Sequence, residues 1–233
     1  MKMGMKNVSY SLKGNFSLLA FDYDGTLATG GSVAPSTLDA LKDLLITGRK
    51  LVLVSGRQLP ELIDIFPELA LFAWVIAENG GVIHETATGQ SDVIGDPPPA
   101  EFLRALEERG IEPVARGRVI VATASSYSDT LLTLIQSMAL THRVILNKDS
   151  AMILPEGVNK GSGLLWVLKR LGLSKEDVIG VGDGENDADL FRVSGLRVAV
   201  ANAVSELKEM ADWVTPGSAG SGVEQLSELL LNA

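Results

Sequence analysis

Two short apolar runs, each followed at once by aspartates, constrain the fold of this chain more than any other feature. Residues 18–21 precede Asp22 and Asp24, and residues 178–181 lead into Asp183 and Asp187. Such runs are typical of strands that are buried on both faces, as in a parallel sheet. Ligands bind beyond the carboxyl ends of the strands in open α/β sheets. If the two strands are neighbours, we expect the four carboxylates to meet at one edge of the sheet.

Carboxylates gathered in this way need a partner of opposite charge. Two of them repel each other by about 4 kcal/mol at 4 Å and an effective dielectric constant of ~20. The usual remedy is a hard divalent cation with oxygen ligands, of which Mg²⁺ is favoured here. Asp22 and Asp24 lie two residues apart, so a strand aims both at the same side, and Gly25 permits a turn after them. Two carboxylates in different environments can act as nucleophile and as general acid or base. The pattern predicts a metal-assisted site for a phosphorylated substrate.

The second cluster has two other interpretations. A calcium loop of the helix–loop–helix type is excluded because Ala188 occupies the position of its required glycine and a strand precedes it. A solvated acidic helix start suits Asp189 and Glu185, which we interpret as surface residues. Asp183, directly after the strand, is then the better metal ligand. Asp187 is the second candidate and could bind the metal directly or through water.

Three residues elsewhere could bind phosphate. Ser55 and Gly56 follow the apolar residues 51–54, where a hydroxyl and backbone amides can hold an anion. Lys160 precedes a predicted helix, whose amino-terminal end favours anions. Each signal is weak alone, because Ser-Gly is a common turn and most lysines are surface charges.

From residue 16 onward the chain alternates strand and helix patterns, which predicts an α/β fold with a doubly wound parallel sheet. Residues 82–156 interrupt this alternation with two helices and several strands, the last two forming a predicted hairpin. We therefore predict an inserted α+β cap over residues 82–156, placed to act as a lid on a core of residues 1–81 and 157–233. Residues 1–15 are interpreted as either a short edge strand or a loose tail.

Length and charge narrow the class of protein. A chain of 233 residues can bury about 70–75% of its unfolded surface, enough for one large domain or a domain with an insert. A net charge of −9 argues against binding nucleic acid, and the lack of cysteine excludes disulfides and thiolate chemistry. No apolar run reaches the ~18 residues of a membrane span. These features predict a cytoplasmic protein without nucleic-acid or membrane partners, and leave its oligomeric state open.

Four motifs together resemble a known family. In chain order they are Asp22-x-Asp24-Gly-Thr, Ser55-Gly56-Arg57, Lys160 and Gly-Asp183-Gly-Glu-Asn-Asp187. Their order and spacing resemble the four motifs of haloacid dehalogenase superfamily phosphatases, in the Cof-like branch with a type IIB α+β cap. That resemblance implies a Rossmann-like core and covers nearly the whole chain from residue 17. Within the branch, the chain is similar to phosphoglycolate and sugar-phosphate phosphatases.

The resemblance also implies a two-step phosphoryl transfer. Asp22 would attack phosphorus and form an aspartyl-phosphate, which water then hydrolyses. Asp24 would protonate the leaving alkoxide and afterwards activate that water, and we expect burial under the cap to favour its acid form. Phosphate oxygens would be bound by Ser55, Gly56 and Lys160. The substrate would be a small phosphorylated metabolite.

The same resemblance implies a magnesium site and leaves alternatives for the activity. Mg²⁺ would be bound by Asp22, the backbone carbonyl of Asp24, and Asp183, with Asp187 in support. A phosphomutase or phosphotransferase would differ only in its acceptor. A receiver-like module phosphorylated on Asp22 is an alternative of another class, but the acid at Asp24 and the insert of residues 82–156 argue against it.

The predicted cap also carries basic residues that could face an anionic substrate, although a solvated charge is the simpler interpretation for each. These are Arg116, Arg118, Arg143 and Lys148.

Overall fold

A computed structural model describes residues 16–232 as a large α/β core and a smaller cap. The prediction for residues 1–15 lies outside this described range. None of the helices between residues 16 and 232 is long and apolar enough to cross a membrane.

The strands within this range are β1 Leu18–Asp22, β2 Ala28–Thr29, β3 Ser32–Val33, β4 Lys50–Val54, β5 Trp74–Ala77, β6 Val82–Glu85, β7 Gln90–Val93, β8 Ala115–Arg116, β9 Val121–Ala124, β10 His142–Asn147, β11 Ser150–Pro155, β12 Val178–Gly182, β13 Leu196–Ala199 and β14 Trp213–Val214. The α-helices are α1 Pro35–Ile46, α2 Leu59–Ile65, α3 Ala100–Glu107, α4 Ser128–Ser137, α5 Lys160–Leu171, α6 Ala188–Arg192, α7 Ser205–Met210 and α8 Ala219–Leu231.

The core sheet has the strand order β14-β13-β12-β1-β4-β5-β6-β7, and its strands from β14 to β5 are parallel. All five residues of β1 are buried, because helices cover both faces of the sheet. Leu19 and Phe21 pack in the cluster that includes α1 and α8, whereas Leu18 and Ala20 pack in the cluster that includes α5. This alternation confirms the predicted doubly wound α/β fold.

The cap begins later in the chain than the sequence analysis placed it. Strands β6 and β7 pair antiparallel with β5 and with each other, so they extend the core sheet. The predicted boundary at residue 82 is therefore wrong. Neither strand was predicted, because β6 has only two apolar residues before two polar ones, and β7 lies at the edge of the sheet and is mostly exposed and polar.

The cap is a four-stranded antiparallel sheet covered on one face by α3 and α4. Its strand order is β10-β11-β9-β8, and β10 and β11 form the predicted hairpin. Phe102 of α3 and Leu131 of α4 pack against Val121 and Ile153 of the sheet. Successive strand residues point to opposite faces, so Ala122 and its neighbours on the other face are turned towards the core.

A buried glutamate in the turn after β5 ties the core to the cap. Glu78 accepts hydrogen bonds at 2.8–3.0 Å from the backbone N–H groups of Arg118, Val119 and Ile120. Glu78 and the following Asn79 both have a left-handed backbone, with φ near 51° and 52°. The loop that leads into β9 is therefore held by the same turn that borders the core's binding edge.

Candidate active site

The carboxyl ends of β1 and β12 bring the two aspartate motifs together. Parallel pairing aligns Phe21 with Val181, so the residues that follow each strand lie side by side at one edge of the sheet. Carboxylate oxygens of Asp22, Asp183 and Asp187 lie within 4.8 Å of one another, and all three residues are buried. Asp24, the fourth predicted member, does not belong to this carboxylate group.

Lys160 lies in the middle of the aspartate cluster. Its Nζ donates to Asp22 Oδ1 at 2.5 Å and to Asp187 Oδ1 at 2.6 Å, and its side chain is only 1% exposed. It is the first residue of α5, which begins with a capping box between Asn159 and Ser162. Burial alone would lower the pKa of Lys160, but the carboxylates of Asp187 and Asp22 outweigh it and raise that pKa. The lysine is therefore charged.

Asp187 organises the loop that carries Asp183. Its Oδ2 accepts the backbone N–H groups of Asp183 and Gly184, both at 2.9 Å, while its Oδ1 accepts Lys160. Both oxygens of this fully buried carboxylate are thus used within the protein. The ammonium of Lys160 and the two N–H groups offset the charge of Asp187. Through the two N–H groups, Asp187 also positions the loop that carries Asp183.

Asp183 is surrounded by donors from several elements. Its Oδ1 accepts Thr26 Oγ1 at 3.1 Å, and its Oδ2 accepts Lys148 Nζ at 2.8 Å and Asn202 Nδ2 at 3.3 Å. Gly25 is required beside it, because the backbone there has φ 87° and a Cβ would lie 2.4 Å from Asp183 Oδ2. The backbone of the first motif therefore packs directly against the Asp183 side chain.

Asp24 is held by an arginine at the mouth of the site. Arg57 donates from Nε and Nη2 to its two carboxylate oxygens, at 2.6 and 2.8 Å. Arg57 also pairs with Glu61, and its hydrogen bond to Asp24 raises its own pKa. Such a forked pair is specific for arginine. The Asp24 side chain is 39% exposed, so the structure does not place it in the buried environment that the sequence analysis expected.

Ser55 and Gly56 follow β4, the other neighbour of β1. The Asp22–Val54 pairing places Ser55 next to Asp22 along the binding edge. Ser55 is buried, and its Oγ accepts the backbone N–H of Arg57 at 3.1 Å, which leaves the hydroxyl hydrogen available as a donor. Gly56 lines the cavity described next.

A cavity of about 310 Å³ lies between the core and the cap sheet. Its core side includes Asp22, Asp24 and Gly56, so the predicted catalytic residues open onto it. The cap contributes an apolar wall and two neutral polar residues, which in chain order are Ala115, Ile120, Ala122, Asn147, Ser150 and Met152. The volume lies at the small end of ligand pockets, which suits a small metabolite.

One residue of the site, Asn79, was assigned no role by the sequence motifs. Asn79, in the left-handed turn after β5, accepts Asn186 Nδ2 at 2.9 Å and donates to Met152 Sδ at 2.8 Å. Asn79 thereby joins the turn, the acidic loop and the cap wall. Only the Glu-Asn-Gly sequence of the turn could have indicated its unusual backbone.

Two cap residues that were interpreted as solvated charges contact the acidic loop instead. Lys148 reaches Asp183, and Arg143 Nη2 lies 3.3 Å from Asp189 Oδ2. The partners are 35 and 46 residues apart in the chain, so no local pattern could pair them. The simple interpretation as solvated charges is wrong for both.

The chemistry of the cluster fits a hard divalent cation. Burial raises the pKa of Asp22, the nearby Asp187 and Asp183 raise it further, and Lys160 opposes them. Lys160 pairs with Asp22 and Asp187, and the half-exposed Lys148 pairs with Asp183. Three carboxylates thus face two ammonium groups, which leaves one negative charge at a site that offers only oxygen ligands. Oxygen-rich sites of this type suit Mg²⁺.

The family of the chain is shown by comparison with known proteins. A family model described as haloacid dehalogenase-like hydrolase matches residues 19–112 and 119–226. The phosphoglycolate phosphatase of Methanothermobacter thermautotrophicus is 32% identical over 216 residues, covering 89% of this chain and 95% of that protein. Phosphoglycolate phosphatase 2 of Saccharolobus solfataricus is 32% identical over 230 residues, covering 94% of each chain.

A solved structure shows the same fold. It is a sugar phosphatase of subclass IIB of the same superfamily, and it covers 91% of this chain and 98% of its own with a TM-score of 0.76 and 19% sequence identity. Its resemblance agrees with the core and inserted cap described above. The chain therefore belongs to the haloacid dehalogenase-like hydrolases, and within that family it is a phosphatase.

Proposed function

We propose that this phosphatase hydrolyses a small phosphate monoester through an aspartyl-phosphate on Asp22, and that phosphoglycolate is its first candidate substrate. The observation that carries the proposal is the position of Asp22. It lies at the end of a buried strand, in contact with Lys160, within reach of two further carboxylates and open to the cavity under the cap. The similar phosphoglycolate phosphatases and the small cavity support the choice of substrate.

In the first step, an Asp22 carboxylate oxygen attacks phosphorus and the bond from phosphorus to the leaving oxygen breaks. Asp24, at the cavity mouth, gives its proton to that oxygen, because an alkoxide is a poor leaving group without one. Arg57 holds both oxygens of Asp24 in the structure, so the acid has to leave this pair, at least in part, to act. Substrate that attracts Arg57 would release it.

In the second step, Asp24 takes a proton from water as the water oxygen attacks phosphorus. The bond between phosphorus and Asp22 breaks, inorganic phosphate leaves, and the carboxylate is restored. Ser55, the backbone of Gly56 and Lys160 bind the phosphoryl oxygens throughout. Lys160 also offsets charge at Asp22, which supports the ionised nucleophile.

Asp22, Asp183 and the backbone carbonyl of Asp24 would hold Mg²⁺, while Asp187 fixes the loop and Lys160. When bound, the ion would neutralise charge on the phosphoryl group and orient it for in-line attack.

Hydrolysis assays with matched variants test the proposal. Phosphate release from phosphoglycolate and from p-nitrophenyl phosphate should require Mg²⁺ and stop on addition of EDTA. Asp22→Asn should abolish it, whereas the exposed α1 substitution Asp39→Asn should not. Retention of metal-dependent hydrolysis in purified Asp22→Asn protein would refute the assigned nucleophile.

A second experiment tests the acid and the acceptor. With p-nitrophenyl phosphate, whose leaving group needs no proton, Asp24→Asn should accumulate phosphorylated protein, detectable by intact mass, because hydrolysis of the intermediate loses its base. A panel of phosphorylated metabolites should rank phosphoglycolate first in kcat/KM, and sugar phosphates ranking higher would overturn that choice. Addition of free sugars should leave inorganic phosphate as the product. A phosphorylated sugar appearing instead would show transfer.

A further inference from the structure

The tip of the cap hairpin sits directly on the acidic loop of the core. Between β10 and β11, Lys148 has a left-handed backbone with φ 52°, and its N–H donates to Glu185 Oε2 at 3.2 Å. Asn147 Oδ1 lies so close to Gly184 that a Cβ there would approach it to 2.5 Å. Arg143 lies 3.3 Å from Asp189 at the other end of the loop. These contacts hold the hairpin tip against the acidic loop.

From this tip Lys148 enters the carboxylate cluster. Its Nζ is 2.8 Å from Asp183 Oδ2, and it borders a second cavity together with Asp24, Arg57 and Asn202. Asp183 is 1% exposed, whereas the lysine side chain is 47% exposed along its length. The cap thus contributes a flexible cation to a carboxylate that otherwise belongs entirely to the core.

Formal charges indicate how this cation responds to ligands. Asp22, Asp183 and Asp187 carry three negative charges against one positive charge from Lys160, so the cluster attracts Lys148. A divalent cation bound at Asp183 would remove that attraction and compete for the same oxygen. A phosphoryl dianion bound beside the metal would restore two negative charges within reach of the ammonium.

We propose that Lys148 is a substrate-binding residue supplied by the cap, which exchanges Asp183 for the phosphoryl group when metal and substrate bind. This proposal deepens the proposed function and rests on its metal site and phosphoryl-binding site. The exchange makes docking of the cap depend on the charge of the site. Metal binding weakens the docked contact, and the substrate's own phosphoryl group replaces it.

Metal binding without substrate gives the first test. Titration of Mg²⁺ into full-length protein by calorimetry should show Lys148→Met binding the ion about five- to tenfold more tightly than wild type. That range follows because the variant lacks the partly exposed Lys148–Asp183 ion pair, which competes with the metal, and lacks the ammonium that repels the metal ion. Lys148→Arg, which keeps the charge, should stay close to wild type. An affinity of Lys148→Met equal to or below that of wild type would overturn the proposal.

For an anion, Lys148→Met should change the affinity in the opposite direction to its effect on Mg²⁺. With saturating Mg²⁺, inorganic phosphate should bind Lys148→Met at least about fivefold more weakly than wild type, and KM for phosphoglycolate or p-nitrophenyl phosphate should rise similarly while kcat changes less than about twofold. The matched control is Arg104→Met, which removes a cap charge from an exposed pair with Glu101 on α3 and should change neither affinity. Unchanged phosphate affinity and KM in Lys148→Met would also overturn the proposal.

One further variant separates failure of this proposal from failure of the proposed function. Asp183→Asn should lose Mg²⁺ binding by at least about a hundredfold. If it binds Mg²⁺ like wild type, the metal site itself is misassigned. If it loses the ion while Lys148→Met behaves like wild type in both titrations, the metal site stands and only the role of Lys148 fails.

Discussion

Replacing Lys160 with methionine should destabilise the protein by about 3–5 kcal/mol at neutral pH in the absence of metal. The ammonium lies 2.5 Å from Asp22 and 2.6 Å from Asp187, and all three side chains are almost fully buried. Removing one partner from such a group leaves buried charge without compensation, which is the costly way to break a buried ion pair. Methionine keeps most of the side-chain length, so lost packing contributes little.

The loss should depend on pH in a defined direction. Burial raises the pKa of Asp22, and Lys160 opposes this, so the substitution raises that pKa further. A carboxyl group with a raised folded-state pKa contributes its full stability below its unfolded pKa of about 3.9, and loses it as pH rises through the folded value. The deficit of Lys160→Met should therefore be largest at pH 8 and shrink towards pH 5.

Urea unfolding in EDTA, followed by tryptophan fluorescence, measures both effects. Lys42→Met removes a lysine from an exposed pair with Asp39 and should leave the unfolding midpoint unchanged. The double variant with Asp187→Asn should lose at least about 1 kcal/mol less than the sum of the single losses, because the two residues share one interaction. A loss below about 1 kcal/mol for Lys160→Met, or the same loss at pH 5 and pH 8, would refute this account of the buried charges.

Three further predictions concern other parts of the structure. Gly25→Ala should weaken Mg²⁺ binding in calorimetry at least tenfold, because the new Cβ displaces the acidic loop. Gly30→Ala, also at positive φ but with no atom within 4 Å, should cost only about 1–2 kcal/mol of backbone strain and leave Mg²⁺ affinity unchanged. Glu78→Ala should destabilise the protein by about 2–5 kcal/mol in urea and speed amide exchange in the cap loop it holds, with Glu78→Gln less severe. Burial alone would raise the pKa of Asp212, but the hydrogen bonds from Arg197 outweigh burial and lower that pKa. Arg197→Met should therefore be less stable than wild type at neutral pH, and urea unfolding should show the two stabilities converge only as pH falls below the usual carboxyl range.

The sequence could predict what depends on local pattern. Buried apolar runs predicted the central strands, and the runs at residues 18–21 and 178–181 lie within β1 and β12. The position of aspartates directly after two such runs was enough to predict that they meet, because parallel neighbours end at the same edge. Residue type and position relative to the strand ends therefore carried most of the information about the site.

What the sequence could not predict depends on contacts across the chain. Arg57 and Asp24 form their fork only because β1 and β4 are neighbours with a particular register. Lys148 meets Asp183 only because the cap hairpin lies over the core. The edge strand β7 carries mostly exposed polar residues, so no alternating burial marks it. Each case depends on how distant segments are arranged in the tertiary structure and not on the residues of one short segment.

The alternation of residues along the cap strands has a consequence for how new substrates could be acquired. Ala122 and Met152 are paired across β9 and β11 and border the cavity, whereas Val121 and Ile153 on either side belong to the packing beneath α3 and α4. Exchanging Ala122, which is only partly buried, would reshape the cap side of the cavity without disturbing the second pair, whereas Met152 is itself buried and accepts a hydrogen bond from Asn79. The scaffold thus places a position that can vary with the substrate directly beside one that maintains folding.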